Sequence, residues 1–177
     1  KPVFGDNIQT LFKLIKNNDF EVGEGIETRY NILKAYKKMI LEKINISKSI
    51  NVVMDCGNAA GAINAPNIFK ELGIGVKELF CSVDGTFPNH HPDPTVKENL
   101  KYLIDEVKSG EYDCGIAFDG DADRIGVVDE TGSIIWADQL IAIFLPDVIE
   151  KGDEKYIGKW IKNREITCDL EKLFEWM

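Results

Sequence analysis

The sequence has 177 residues, 44% hydrophobic and 29% charged, enough apolar side chain at this length to bury a core without disulfide or metal staples. Its formal net charge of -9 argues against nucleic-acid binding, because phosphate neutralisation needs clustered lysines and arginines. No secretory leader and no apolar run of membrane-spanning length is read, so no membrane partner is expected. The four cysteines, Cys56, Cys81, Cys114 and Cys168, form no CxxC pair. They read as buried thiols of a reducing compartment, which implies the cytosol.

Residues 6–16 read as a helix with Ile8, Leu11, Phe12 and Ile15 on one stripe. Asp6 followed by Gln9 resembles a capping box. After a loop at 19–25, a second helix is expected over 28–43, with Ile32, Leu33, Tyr36, Met39 and Ile40 inward. Lys34, Lys37 and Lys38 form its solvated face. The β-branched run 50–55 reads as a buried strand, and 56–61 as a tight turn rather than a phosphate-binding helix start. A helix with Pro66 in its first turn follows and stops at Gly73. A strand is expected over 76–83.

Residues 84–94 are a loop dense in Pro, Asn, Asp and His, in which His90 and His91 read as structural, lining a domain interface. Thr95 with Glu98 matches a capping box before a helix that runs to Lys108. Residues 114–118 form a third strand, and 125–128 with 134–136 a hairpin around Glu130-Thr131-Gly132-Ser133. Asp138 is expected to cap a last helix, bent by the internal Pro146. The alternation implies an α/β fold: a mixed, mostly parallel sheet sandwiched between helices, the hairpin adding an antiparallel pair. Residues 151–177 read as the opening of a further domain, with Leu170, Leu173 and Phe174 on a short helix.

Between the third strand and the hairpin lies Asp119-Gly120-Asp121-Ala122-Asp123-Arg124. Three carboxylates at alternate positions converge only if a cation neutralises them, and oxygen donors suit Mg²⁺ or Ca²⁺. The loop leaves the carboxyl end of a strand, where open α/β sheets place ligand sites. An EF-hand is rejected, because its sixth position requires Gly and Arg124 stands there between strand-like flanks. An aspartyl-nucleophile phosphotransferase shares the carboxylate spacing but leaves the other motifs of the chain unexplained. Arg124 offers a fork-shaped donor suited to phosphoryl oxygens.

With this loop, the runs Asp55-Cys56-Gly57-Asn58-Ala59-Ala60-Gly61, Asp84-Gly85-Thr86-Phe87-Pro88-Asn89-His90-His91-Pro92-Asp93-Pro94 and Gly126-Val127-Val128-Asp129 resemble the α-D-phosphohexomutases of the phosphomannomutase/phosphoglucomutase type. The resemblance extends to about Ile149. It implies that 1–136 is the family's second, metal-binding domain and 137–177 the truncated start of the third. It also implies that Asp119, Asp121 and Asp123 hold Mg²⁺ together with a phosphoserine, while Arg124 contacts the phosphoryl group. The implied reaction moves phosphate between the 1 and 6 positions of a hexose phosphate through a bisphosphate. The implied partners are that substrate and the remaining domains of the enzyme. No serine loop of the family's kind is read in this sequence, so the isolated chain is expected to be inactive. A non-catalytic cation-binding or interaction module that retains the fold is the alternative.

Overall fold

The structure, a computed structural model, describes residues 3–151. The sequence reading of residues 152–177, including the short helix around Leu170, lies outside the described residues. What is described divides into two compact units between Ile32 and Leu33.

The first unit holds helix α1 (Asp6–Asn17), closed by Asn18 in the left-handed conformation at φ 52. The capping box expected at Asp6 does not form. The flanking residue is Gly5, and no side chain caps the helix. Asp6 already sits inside the first turn, where its carbonyl accepts the Thr10 hydroxyl at 2.9 Å. Ile8, Leu11, Phe12 and Ile15 share one face, as their spacing requires, but all four are exposed.

In the second unit, α2 (Ile32–Leu41) is shorter at both ends than expected. Its Lys37 is partly exposed and also donates Nζ to Glu71 Oε1 at 2.6 Å. Strand β1 (Asn51–Asp55) leads through a turn and a 3-10 helix (Ala60–Ile63) into α3 (Ala65–Glu71) and then β2 (Gly75–Leu79). That strand ends earlier than expected because Phe80 adopts φ 52, which extended backbone does not allow. A second 3-10 helix (Lys97–Leu100) precedes α4 (Lys101–Ser109). The expected Thr95–Glu98 box is also absent. Thr95 is spent on Asp93, donating both its N–H and its hydroxyl to Oδ1, at 3.1 and 2.7 Å.

Strands β3 (Cys114–Phe118), β4 (Ile125–Asp129) and β5 (Ile134–Ile135) complete a sheet ordered β2-β1-β3-β4-β5. β1 pairs in parallel with both β2 and β3, and the two pairs involving β4 are antiparallel. Four strands therefore run one way and β4 the other. Helix α5 (Ala137–Lys151) follows, with Pro146 inside it. Asp138 does not cap it. Trp136 is the flanking residue, and its N–H donates to Gln139 Oε1 at 2.9 Å.

The sheet is covered on both faces, as the sequence pattern requires. Val53 and Ala117 face α4 and form a core with Leu100, Leu103, Val107 and Val128. The contact is close enough that a Cβ on Gly115 would fall 2.8 Å from Leu103 Cδ1. Val52 and Met54 point to the other face and are equally buried. On that face Phe118 packs against Gly61 and lines an apolar groove with Ile68 and Phe69 of α3. Burial of each large side chain contributes about 1.5–3 kcal/mol. Together these contacts fix the carboxyl ends of β1 and β3 side by side.

Candidate metal centre

Strand β3 ends at Phe118 and delivers Asp119 at 1% exposure, while Asp121 and Asp123 are exposed. One carboxylate oxygen from each lies within 4.8 Å of the others. The loop turns tightly to achieve this. Ala122 takes φ 60 and donates its N–H to the Asp119 carbonyl at 3.1 Å, and Asp119 N–H donates to the Arg124 carbonyl at 3.3 Å. A left-handed alanine is strained, and the closed loop sustains it.

Arg124 is the local counter-charge. Its N–H donates to Asp119 Oδ1 at 3.0 Å and its Nε to Oδ2 at 2.8 Å. Burial pushes the Asp119 carboxyl up, but these donors outweigh it and hold the group below the ordinary aspartate value. Asp123 goes the other way: the charges of Asp121 and then Asp119 push it up, and Arg124 only partly relieves it. One guanidinium thus stands beside a cluster of three carboxylates, and a divalent cation would cancel the repulsion that remains. The donor set is all oxygen, so the residues present fit a hard ion such as Mg²⁺. Arg124 is itself 56% exposed, with Nη1 3.7 Å from Asp93 Oδ1.

A second corner adjoins the first and was not legible as a pair. Asp55, the last residue of β1, is 1% exposed. His90 Nε2 lies 3.0 and 3.2 Å from its two carboxylate oxygens, and His90 Nδ1 lies 3.0 Å from the His91 carbonyl. Both ring nitrogens face acceptors, an arrangement that the imidazolium satisfies from both sides. The Asp55 carboxylate accordingly raises the His90 pKa against the opposing effect of burial. Gly57 N–H donates to Asp55 Oδ1 at 2.8 Å. His90 also meets Phe80 edge-on and stacks on Tyr102. The structural reading of His90 holds.

The turn at 56–61 is structural as well. Asn58 N–H donates to the Phe80 carbonyl and Ala59 N–H to that of Cys56, both at 2.8 Å, while Ala60 N–H reaches the Gly120 carbonyl at 3.3 Å. Pro92 lies between the two corners. A Cβ on Gly57 would fall 2.8 Å from its Cβ, and one on Gly120 would fall 3.8 Å from its Cγ. A repeated Asp-x-Thr device also escaped the sequence reading. Asp84, Asp93 and Asp129 each accept, on Oδ1, both the N–H and the hydroxyl of the threonine two residues on. The spacing that could have revealed it stands in the sequence three times.

The profile of phosphoglucomutase/phosphomannomutase, alpha/beta/alpha domain II, matches residues 33–132, more than half of the sequence. The chain belongs to this family. Among curated relatives, the phosphomannomutase/phosphoglucomutase of Pseudomonas putida is 46% identical over 146 residues, covering 82% of this chain and 32% of the relative. The phosphoglucomutase of Neisseria gonorrhoeae is 38% identical over 180 residues, covering 95% of this chain and 39% of the relative. A crystal structure of a phosphoglucomutase/phosphomannomutase family protein from Burkholderia thailandensis superposes with a TM-score of 0.79 at 40% identity, over 84% of this chain and 32% of that one. The chain therefore spans about a third of the length of the phosphohexomutases it matches. No helix among the described residues is long and apolar enough to cross a membrane.

Proposed function

We propose that this chain is the metal-binding domain of a phosphohexomutase that moves phosphate between the 1 and 6 positions of a hexose phosphate. The observation that carries this reading is the convergence of Asp119, Asp121 and Asp123 at the end of β3. These three carboxylates would hold Mg²⁺ beside a phosphoserine borne by another domain of the same enzyme. Bound there, the ion withdraws charge from the phosphoryl group and eases attack on phosphorus.

The protein's own residues supply position and charge, which phosphoryl transfer needs more than covalent machinery. Asp119 is buried and fixed by Arg124, so it presents a pre-set oxygen. Asp121 and Asp123 complete the donor set from the exposed side. With Nε held on Asp119 and Nη1 only loosely paired with Asp93 at 3.7 Å, the half-exposed Arg124 fork can still meet phosphoryl oxygens. The middle domain extends to about residue 136, and α5 opens the next. A cytosolic enzyme fits the free thiols of Cys56, Cys81 and Cys114.

Calorimetric titration with Mg²⁺ or Mn²⁺ tests the site. The intact chain should bind weakly and Asp121→Asn more weakly still; equal heats from both would sink the proposal. The isolated chain, assayed with glucose 1-phosphate, the bisphosphate activator and Mg²⁺, should show no turnover. The parent enzyme should turn over and lose that activity on Asp121→Asn.

A further inference from the structure

We propose that Cys56 and Cys81 form an oxidative modification site, a thiol pair that a small-molecule disulfide converts to an intramolecular disulfide. The two sulfurs lie 2.8 Å apart, and both cysteines are free thiols. That separation is closer to a covalent S–S bond, about 2.05 Å, than ordinary packing of two sulfurs brings them. Hydrogen bonding does not demand it, since the Cys81 thiol also has the Leu79 and Met54 carbonyls at 3.3 and 3.6 Å.

The fold itself holds the pair together. Cys56 N–H donates to the Leu79 carbonyl at 3.1 Å, which fixes the chain just beyond β1 against the end of β2. The left-handed Phe80 then bends the outgoing chain at the residue before Cys81. Neither thiol is among the carboxylates and guanidinium of the candidate metal centre.

The two thiols differ in a way that sets the order of reaction. Cys56 is fully buried, whereas Cys81 is half-buried. The hydrogen-bonding contact between the two sulfurs lowers the Cys81 pKa, and that same contact, followed by burial, raises Cys56. Thiolate is the attacking species. Cys81, as thiolate, attacks one sulfur of the small disulfide; a mixed disulfide forms and one small thiolate leaves. The Cys56 sulfur, giving up its proton, then attacks Cys81 Sγ and expels the second small thiolate. Two protein thiols are oxidised and one disulfide is reduced to two thiols. The bond closes a ring over 56–81 and staples the turn after β1 to the loop that carries His90. That turn donates Ala60 N–H to Gly120 of the acidic loop.

The test incubates the full chain with glutathione over a series of oxidised-to-reduced ratios, quenches with iodoacetamide and maps the products by mass spectrometry. The unreacted sequence carries four cysteines. Oxidation should lower the intact mass by two hydrogens, remove two alkylatable thiols and yield one cross-linked peptide containing Cys56 and Cys81. Cys56→Ser should stop at a glutathione adduct on Cys81, and Cys81→Ser should leave Cys56 unmodified. Alkyl label on both Cys56 and Cys81 after oxidation, or a disulfide to Cys114 or Cys168 in their place, overturns the proposal. The wild-type map decides the matter even if a variant fails to fold.

Discussion

Asp55 and Asp119 stand at the carboxyl ends of neighbouring parallel strands, equally buried, and their surroundings give them opposite tasks. Asp55 meets the His90 ring, whose pKa it raises, and one backbone N–H, so its corner is closed by partners inside the chain. Asp119 meets one guanidinium but shares it with Asp123 and Asp93, and Asp121 stands close by, so its corner keeps an excess of negative charge that opens to solvent. A buried carboxylate with all its partners inside the chain supports the fold. A carboxylate cluster short of partners could take a cation from outside.

Removing one side of the closed corner should have the largest effect. His90→Ala leaves Asp55 buried and unpaired, and urea denaturation should show a loss of about 3 kcal/mol or more; a loss under about 1 kcal/mol would mean that the pair is solvated. The pH dependence sharpens this. The folded pKa of His90 is raised above its ordinary 6.5. The stability it adds over His90→Gln is therefore complete below about pH 6.5 and is lost as pH rises through the raised value. A difference between the two proteins that grows with pH would contradict the ion pair.

Gly57→Ala should follow at about 1–3 kcal/mol, from a Cβ forced into positive φ against Pro92. At the open corner, Asp121→Asn should weaken Mg²⁺ binding about tenfold or more while leaving the metal-free unfolding transition nearly unmoved. If that transition shifted as far as it does for His90→Ala, the two corners would not differ in kind. The smallest effect is the most diagnostic in sign. Asp123→Asn removes a charge that Asp121 and Asp119 oppose, so the metal-free chain should melt slightly higher. A lower melting temperature would show that the cluster is already compensated.

Strand β1 and the acidic loop were legible from residue identity alone, because a β-branched run and alternating carboxylates are both features of the local sequence. The hairpin of β4 and β5 was legible for the same reason. The helix starts were not. The Asp6 and Thr95 capping boxes and the Asp138 cap all fail, because side chains that match a cap by spacing were already committed to turns or lay inside the helix. The end of β2 was missed because Phe80 carries no sequence mark of its positive φ.

The sequence alone determined the alternation of strands and helices, the acidic loop and its place after a strand, since these depend on neighbours along the chain. The tertiary structure decided which distant groups meet: Asp55 with His90, Cys56 with Cys81, Arg124 with Asp93. Those pairings depend on sheet register and on the path of loop 84–94. A hydrogen bond or a charge pair acts over a few ångströms of space, and separation along the chain does not encode that distance.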